Sequence, residues 1–232
     1  LKGDFGTSYS YKMPVSSMLA GKLPVTGLLT GMSFVLILAF SIPLGIFTAR
    51  HAGGRLDRAM TAVNQVLMAI PAFVTGILLT YVFGLVLRWF VPGNYVSPGD
   101  NFGGSLWYFL FPAVSIALPR VAMTVKMLRS SILSELQKDY VRTSHSRGNS
   151  DRATLYRHVL RNAMGPVVSF LAMTVADIVA GSVVIEQVFS LPGLGRMLLT
   201  SIANRDYPVV QAVVVIVAFW VVLVNLLSLI HI

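Results

Sequence analysis

The sequence predicts an all-α membrane protein, a polytopic bundle of transmembrane helices. Of its 232 residues, 55% are hydrophobic and only 12% are charged, and the mean hydropathy is +0.74. Soluble domains carry roughly a quarter charged residues, so this chain has too few charges to cover a water-facing surface. It is also too apolar for a disordered chain. The sequence contains no cysteine, which excludes a disulfide-framed fold, thiolate chemistry and cysteine-ligated zinc.

Five apolar stretches are long enough to cross a bilayer, which takes roughly 20 residues of helix. The second stretch is too long for one straight span, and Pro71 within it is expected to kink or divide the helix. Prolines also interrupt other apolar stretches, which neighbouring helices in a bundle tolerate. The predicted spans are Leu23–Ala49, Thr61–Val91, Leu106–Leu128, Pro166–Ile185 and Val209–Ile230.

The charges of the connecting segments predict the orientation of the spans. Residues 50–60 hold three arginines against one aspartate, and residues 129–165 hold seven basic residues against three acids. The links 92–105 and 186–208 are near neutral. Because segments rich in Lys and Arg stay on the cytoplasmic side, the two basic segments are predicted to be cytoplasmic and residues 1–22 external.

The long basic segment 129–165 has a regular pattern of its own. Apolar residues at helical spacing extend the third span past the membrane surface as far as Val141. Gly148 then breaks the helix, and Ser150 is placed to cap an amphipathic helix that ends at Pro166, where the next span begins. A pair of short helices lying on anionic lipid head groups would show the same pattern.

Ionisable residues in the middle of a span are costly in a bilayer and therefore indicate functional positions. Asp177 lies in the fourth span, and Arg120 in the third is its expected partner; a water-exposed Asp177 in a translocation cavity is the alternative. Glu186, at the outer end of its span, is expected to be solvated or to cap a helix. The four histidines are dispersed, which argues against a metal site.

Three blocks of sequence carry a family resemblance. The first is Tyr140-Val-Arg-Thr-Ser-His-Ser-Arg-Gly148 with Arg157-His-Val-Leu-Arg-Asn-Ala-Met-Gly-Pro166. The second is Glu186-Gln-Val-Phe-Ser-Leu-Pro-Gly-Leu-Gly195 with Asn204-Arg-Asp-Tyr-Pro-Val-Val-Gln211, and the third is Gly3-Asp-Phe-Gly-Thr-Ser8. The third block continues with Pro14-Val15. In order and in predicted sidedness, the three blocks resemble the cytoplasmic loop, the last external loop with the final helix, and the external segment just before the second span of binding-protein-dependent ABC importer permeases, most of all the dipeptide/oligopeptide branch.

The resemblance implies the fold of a type I ABC importer permease, with five spans present of an expected six. It implies that the loop after Gly148 docks as a coupling helix in a cleft of a separate ATPase subunit, with Leu155, Tyr156 and Val159 as candidates for filling the cleft. The implied ATPase-coupling residues are Arg142, Thr143, Ser144, Arg147, Gly148, Arg152, Leu155, Tyr156 and Val159, and those of the external, binding-protein side are Glu186, Phe189, Pro192, Gly193 and Gly195.

The function implied by the resemblance is that of a permease subunit forming half of the translocation pathway for di- or oligopeptides. The implied partners are a second homologous permease, two ATP-binding cassette ATPase subunits and an extracytoplasmic solute-binding protein, in the plasma (inner) membrane of a bacterium or archaeon. The chain shows no nucleotide-binding motif, so ATP is expected on the partner subunits, and nucleic acid is not an expected partner. The alternatives are a related importer for nickel or glutathione, an ion-coupled secondary transporter and a membrane-embedded enzyme, for which no catalytic constellation is visible.

Both ends of the chain look cut relative to the family it resembles. Residues 1–22 are predicted to form an external segment, and residues 23–226 the ABC transporter transmembrane domain with its coupling loop 129–165. The last residues, Leu227-Ser-Leu-Ile-His-Ile232, match a reading frame of a transposon-end adapter used in sequencing libraries. This match predicts that the native sequence stops near Leu226; a genuine apolar helix end is the alternative.

Overall fold

The computed structural model describes the backbone of residues 4–230 and the side chains of residues 4–226, and within that range every regular element is a helix. The helices are α1 (Val15–Ala20), α2 (Leu23–Arg50), α3 (Arg55–Ala69), α4 (Ala72–Leu79), α5 (Phe102–Leu136), α6 (Asp139–Ser146), α7 (Asp151–Thr154), α8 (Leu160–Val188), α9 (Leu194–Ala203) and α10 (Tyr207–Ile230). Two π-helical stretches extend them: Thr80–Val86 continues α4, and Leu155–Val159 joins α7 to α8.

The helices correspond to the five predicted spans. Four helical runs are long and apolar enough to cross a membrane, and a fifth candidate is the pair formed by α3 and α4 with its π-helical extension, which is bent by 94°. The all-α fold is therefore confirmed. The prediction that the native sequence stops near Leu226 concerns residues 227–232. The side chains of these residues, and the backbone of residues 231–232, lie outside the described part of the chain, so it stays a prediction.

Pro71 divides the second predicted span, as expected. The residue before it, Ile70, is extended (φ −86°, ψ 119°), because a following proline disfavours the helical conformation. The chain therefore leaves α3 and re-enters a helix at Ala72 in a new direction. The stretch Thr61–Val91 is thus not one straight span but two helices that meet at a sharp bend.

Two sequence predictions about the basic segment need correction. α5 extends past Leu128 but ends at Leu136, and an extended Lys138 separates it from α6, so Val141 belongs to a second helix. Pro166 does not start a span, because α8 runs continuously through it. Proline leaves the carbonyl four residues earlier, at Asn162, without its helical partner. Both residues are exposed, so the freed carbonyl is not sealed inside the core.

α5 is the central helix of the bundle. α2, α3, α4 and α8 all pack against it, and its Phe109, Leu128 and Ile132 are fully buried. α2 approaches closely at Gly45, where an added Cβ would lie 2.7 Å from Cδ2 of Leu128. A second, smaller apolar cluster joins α1, α9 and α10.

The structure gathers the connecting segments into two groups. Residues 50–60 and 129–165 contact each other at one end of the bundle, which we call the basic end. Residues 4–22 and 186–208 contact each other at the other end, called here the opposite end, where the 92–105 link also contacts the end of α8 through Tyr108. This grouping is the one that the alternation of charge along the sequence predicts.

Candidate functional site

The basic end carries a tight turn centred on Gly148. Its φ of +82° lies in the left-handed region that favours glycine, and its N–H donates to the carbonyl of His145 at 2.9 Å. Ser150 then caps α7, accepting a 3.3 Å hydrogen bond from the N–H of Ala153. The predicted order of helix, glycine turn and second helix is therefore present.

A buried polar cluster holds the two arms of this turn together. The hydroxyl oxygens of Ser144 and Thr154 lie 2.9 Å apart, and Nδ2 of Asn149 donates to the Ser144 hydroxyl at 3.1 Å. Ser144 is 6% exposed. It therefore sets the angle between α6 and α7 instead of presenting a surface to a partner.

Leu155 and Val159 also face inward, which corrects the expectation that they fill a partner's cleft. Both are buried, and they belong to the same apolar cluster as Ile132 of α5 and Val141 of α6. The apolar stripe of the predicted amphipathic helix thus packs on the chain's own core, where burying a Leu or Val side chain contributes roughly 1.5–3 kcal/mol.

The remaining predicted coupling residues point outward and form what we call the loop surface. Tyr156 is 44% exposed, a large aromatic side chain in the π-helical stretch that follows the turn. Arg142 lies 4.0 Å from Asp139, but both side chains are almost fully in solvent, so this pair contributes little. The loop surface consists of Arg142, Thr143, Arg147, Arg152 and Tyr156.

Ionic contacts fasten the loop and the adjacent α3 to the central helix. Glu135 of α5 accepts from the Tyr140 hydroxyl at 2.9 Å and from Lys138 Nζ at 2.6 Å. Arg129 of α5 donates through Nε and Nη2 to the two carboxylate oxygens of Asp57, both at 2.7 Å. This pair is not predicted from the sequence, although Asp57 is the single acid among three arginines in residues 50–60.

At the opposite end, Glu186 is fully buried and caps a helix. It accepts from the Thr26 hydroxyl at 2.6 Å and from the N–H of Arg196 at 3.1 Å, while the Thr26 hydroxyl accepts from the N–H of Leu194 at 2.9 Å. Together the two side chains satisfy N–H groups in the first turn of α9, which has no capping side chain of its own. The expectation of a capping role is met, whereas a solvated Glu186 is wrong.

The other residues predicted on the external side are mostly structural. A Cβ on Gly193 would collide with the Glu186 carboxylate, and one on Gly195 would collide with the backbone of Val183. Phe189 is buried, and its carbonyl accepts from the Tyr108 hydroxyl at 2.7 Å. Only Pro192 is partly exposed, beside a cleft of about 370 Å³ whose lining includes Tyr11, Lys22 and Arg196.

Asp206, just before α10, binds the N-terminal segment. Its carboxylate accepts from the Ser8 hydroxyl and from the N–H groups of Tyr9 at 3.0 Å and Ser10 at 3.3 Å. Burial raises the pKa of this carboxyl, but the hydrogen bonds from Ser8, Tyr9 and Ser10 outweigh it, so the pKa lies below its ordinary value. Both segments belong to sequence blocks described above, but nothing in the sequence predicts that the two contact each other.

The burial of these two acids changes the surface charge of the opposite end. The sequence count treats residues 186–208 as neutral because Glu186 and Asp206 balance two arginines. Both acids are fully buried, so within residues 4–22, 92–105 and 186–208 the remaining acids are Asp4 and Asp100. Four cations stay at least partly exposed there: Lys12, Lys22, Arg196 and Arg205. This end therefore presents a net basic surface.

Within the spans, Arg120 and Asp177 form the expected pair. Nη1 of Arg120 lies 2.7 Å from Oδ2 of Asp177, and the side chains are 26% and 59% exposed. They line a cavity of about 320 Å³ beside Pro71. In the part of the chain whose side chains are described, His, Asp and Glu residues do not gather in groups of three that could hold a metal ion.

The chain is similar to known proteins both in sequence and in fold. Residues 41–231 match the family described as "Binding-protein-dependent transport system inner membrane component". The chain is 36% identical to the oligopeptide transport system permease protein AppB of Bacillus subtilis, over 98% of this chain and 73% of that protein. It is 33% identical to the glutathione transport system permease protein GsiC of Pectobacterium atrosepticum, over 98% and 72%. A chain of the inward-facing MetNI methionine ABC transporter shares the fold, with a TM-score of 0.73, 15% identity and coverage of 92% and 94%.

Proposed function

We infer that this chain, which belongs to the family of binding-protein-dependent transport system inner membrane components, is the permease subunit of an ATP-driven importer of peptides. The observation that carries this inference is the similarity to peptide permeases over 98% of the chain. Membership of this family disfavours an ion-coupled secondary transporter. Relatives named for peptides and for glutathione, itself a tripeptide, favour a peptide over nickel.

The loop surface is proposed to dock on an ATPase subunit, which binds the ATP. Exposed Tyr156 among arginines suits a partner with an apolar cleft and acidic residues around it. The run from Asp151 to Val188 is one helical unit of 38 residues, which carries Tyr156, Asp177 and Glu186. A displacement of the loop surface would therefore be transmitted along α8 towards the opposite end. Different affinities of the ATP states for the two positions of this helix would drive transport.

Docking on a protein is favoured over lying on lipid. A helix that lies on a membrane needs an exposed apolar face. Here Leu155 and Val159, which would form that face, are buried in the chain's own core, and the exposed large side chain of residues 151–159 with apolar area is Tyr156. The arginines of the loop surface are then free to pair with acids on a partner.

The remaining assignments follow from the family. We propose that the chain pairs with a second homologous permease and receives peptides from an extracytoplasmic binding protein, in the plasma membrane of a bacterium or archaeon. Large apolar side chains on the outside of α2 and α10, such as Val35 and Phe219, suit contact with lipid or with the second permease. The net basic opposite end suits acidic residues on the binding protein.

The docking proposal is tested by co-purifying the full-length permease complex with its ATPase subunits. Tyr156→Asp places a carboxylate at the centre of the loop surface, and Phe102→Asp makes the same kind of change on an exposed aromatic residue at the opposite end. We expect Tyr156→Asp to lose the ATPase and Phe102→Asp to retain it. Equal retention of the ATPase by both variants would show that the ATPase does not dock on the loop surface.

The transport function is tested with the complete complex in proteoliposomes. Uptake of a labelled tripeptide is measured with the binding protein outside and ATP inside. We expect uptake to require both the binding protein and ATP and to be unaffected by collapse of ion gradients. Uptake that follows an ion gradient without ATP would overturn the proposed function.

A further inference from the structure

The cavity beside the bend between α3 and α4 combines two features that are costly in a membrane. It contains about 320 Å³ of space, and its lining includes Pro71, Arg120, Asp177 and Gly181. The first feature is an ion pair within the spans, and the second is a stretch of backbone that is not helical. Neither feature is part of the loop surface or of the capping contacts at the opposite end.

The ion pair lies far inside the span. Asp177 precedes Glu186 by nine residues along α8, which corresponds to about 14 Å of helix. Charged side chains at such depth are rare and face the interior of a bundle or a water-filled cavity. Asp177 is 59% exposed although it contacts Arg120, so one side of the pair remains open to the cavity.

The bend supplies the second feature independently. Ile70 is extended, and Pro71 has no N–H, so the last turn of α3 ends without the hydrogen bonds of a continuing helix. Backbone that is not helical is tolerated at membrane depth only where it is buried in protein or lines a water-filled cavity. Pro71 is exposed and Ile70 is half-buried, and both line the same cavity as the ion pair.

We propose that this cavity is a water-filled section of the transport pathway in which Arg120 and Asp177 bind the carboxylate and ammonium groups of the passing peptide. The proposal rests on the proposed function, because it takes a peptide as the substrate. A free peptide carries one charge of each sign at its ends. Each side chain therefore exchanges its partner in the ion pair for a matching group of the substrate, and no charge is left unpaired.

Water in the cavity is tested by thiol accessibility, for which this chain is suited because it contains no cysteine. In the assembled complex, Gly181→Cys places a thiol at the cavity, where an added Cβ has no atom within 4 Å. The control is Val215→Cys on α10, a residue that is 58% exposed on an apolar helix. The reagent is a charged, membrane-impermeant methanethiosulfonate.

We expect the thiol at position 181 to react and a transported tripeptide with its binding protein to slow the reaction, while the thiol at position 215 stays unreactive. If the thiol at 181 is as unreactive as that at 215, both with and without ATP, the cavity is not water-filled and the proposal is overturned. Labelling that the peptide does not slow would overturn the assignment to the pathway.

Recognition of the two ends is tested by peptide uptake into proteoliposomes at saturating binding protein. Asp177→Asn is expected to lower uptake of a free tripeptide at least about tenfold, the effect of losing 1.4 kcal/mol. It should leave uptake of the N-acetylated tripeptide at the wild-type level. Arg120→Gln should likewise lower uptake of the free tripeptide at least about tenfold and leave uptake of the C-amidated tripeptide at the wild-type level.

Loss of uptake that is equal for free and blocked peptides would show a structural role only, and unchanged uptake would show no role. Either result overturns this inference while ATP-dependent uptake by the wild-type complex still stands. Absence of ATP-dependent uptake in the wild-type complex would instead overturn the proposed function.

Discussion

Thr26 and Glu186, which are 160 positions apart, share a 2.6 Å hydrogen bond between a hydroxyl and a carboxylate. Each also accepts a backbone N–H from the first turn of α9. Three helices, α2, α8 and α9, therefore meet at two side chains. This contact fixes the segment after α8 to the start of α2.

Replacing Glu186 by Leu is expected to destabilise this junction. The Thr26 hydroxyl and the N–H of Arg196 would lose a buried acceptor, at about 1–3 kcal/mol for each unsatisfied group. Each kcal/mol lowers the thermal midpoint of a chain of this size by about 2–4 °C, measured on the detergent-solubilised complex. Gln187→Leu, at an exposed neighbouring position, is the control and should leave the midpoint unchanged. An equal effect of both substitutions would contradict the capping role.

Asp57 and Arg129 are expected to be strongly coupled. The two-pronged contact pairs Asp57, which is nearly buried, with a partly buried arginine, and the N–H of Gly53 adds a third hydrogen bond. A double-mutant cycle with Asp57→Asn and Arg129→Gln should give a coupling energy of about 1–3 kcal/mol for unfolding in mixed detergent. The exposed pair Asp139 and Arg142 provides the matched cycle, which should give close to zero. Similar values in the two cycles would refute the prediction.

The contact of Asp206 with the N-terminal segment should weaken in acid. Because the folded pKa of Asp206 is lowered, its contribution to stability is complete above its unfolded pKa and is lost as the pH falls through the folded pKa. We therefore expect Asp206→Asn to be less stable than the wild type at pH 7, with the difference shrinking below about pH 4. Thermal midpoints of both proteins across this range provide the measurement. A difference that stays constant down to pH 3 would contradict it.

Gly148 is expected to be required for its backbone conformation and not for space. A Cβ there would meet no atom within 4 Å, but a φ of +82° costs an L-residue roughly 1–2 kcal/mol. Gly148→Ala should therefore lower the free energy of unfolding by that amount and reduce the ATPase retained with the complex. Gly165→Ala, at an exposed helical glycine, is the control and should be neutral or slightly stabilising. Equal retention and equal stability of the two variants would disprove this role.

The sequence was sufficient for the fold because hydrophobic length and charge alternation are local signals. Five apolar stretches, the division at Pro71 and the glycine turn at 148 all follow from residue types within one short window. Helix ends were less accurate. Pro166 stops a helix by local rules, yet tertiary packing continues α8 through it, since Val167 and Leu171 just beyond are buried in the core.

The features of the site that the sequence does not predict depend on contacts between distant segments. Nothing near Leu155 in the sequence indicates whether an apolar stripe faces a partner or the chain's own α5. Likewise, Glu186 and Asp206 each look like ordinary surface acids in their own segments. Their burial depends on Thr26 and Ser8, which lie 160 and 198 positions away. Counting charges along the sequence therefore makes residues 186–208 near neutral, whereas the structure buries both of their acids and leaves Arg196 and Arg205 at least partly exposed.

The hydrogen bonds between Asp206 and residues 8–10 also imply an order in which these segments fold during synthesis. The ribosome makes residues 8–10 well before Asp206, whose carboxylate arrives nearly 200 residues later, at the start of α10. Until that helix is inserted, the Ser8 hydroxyl and the N–H groups of Tyr9 and Ser10 lack the carboxylate that accepts their hydrogen bonds. Residues 8–10 are thus made before α1 to α10 and yet acquire these contacts only once α10 has started, so their protection from a protease reports that α10 is in place.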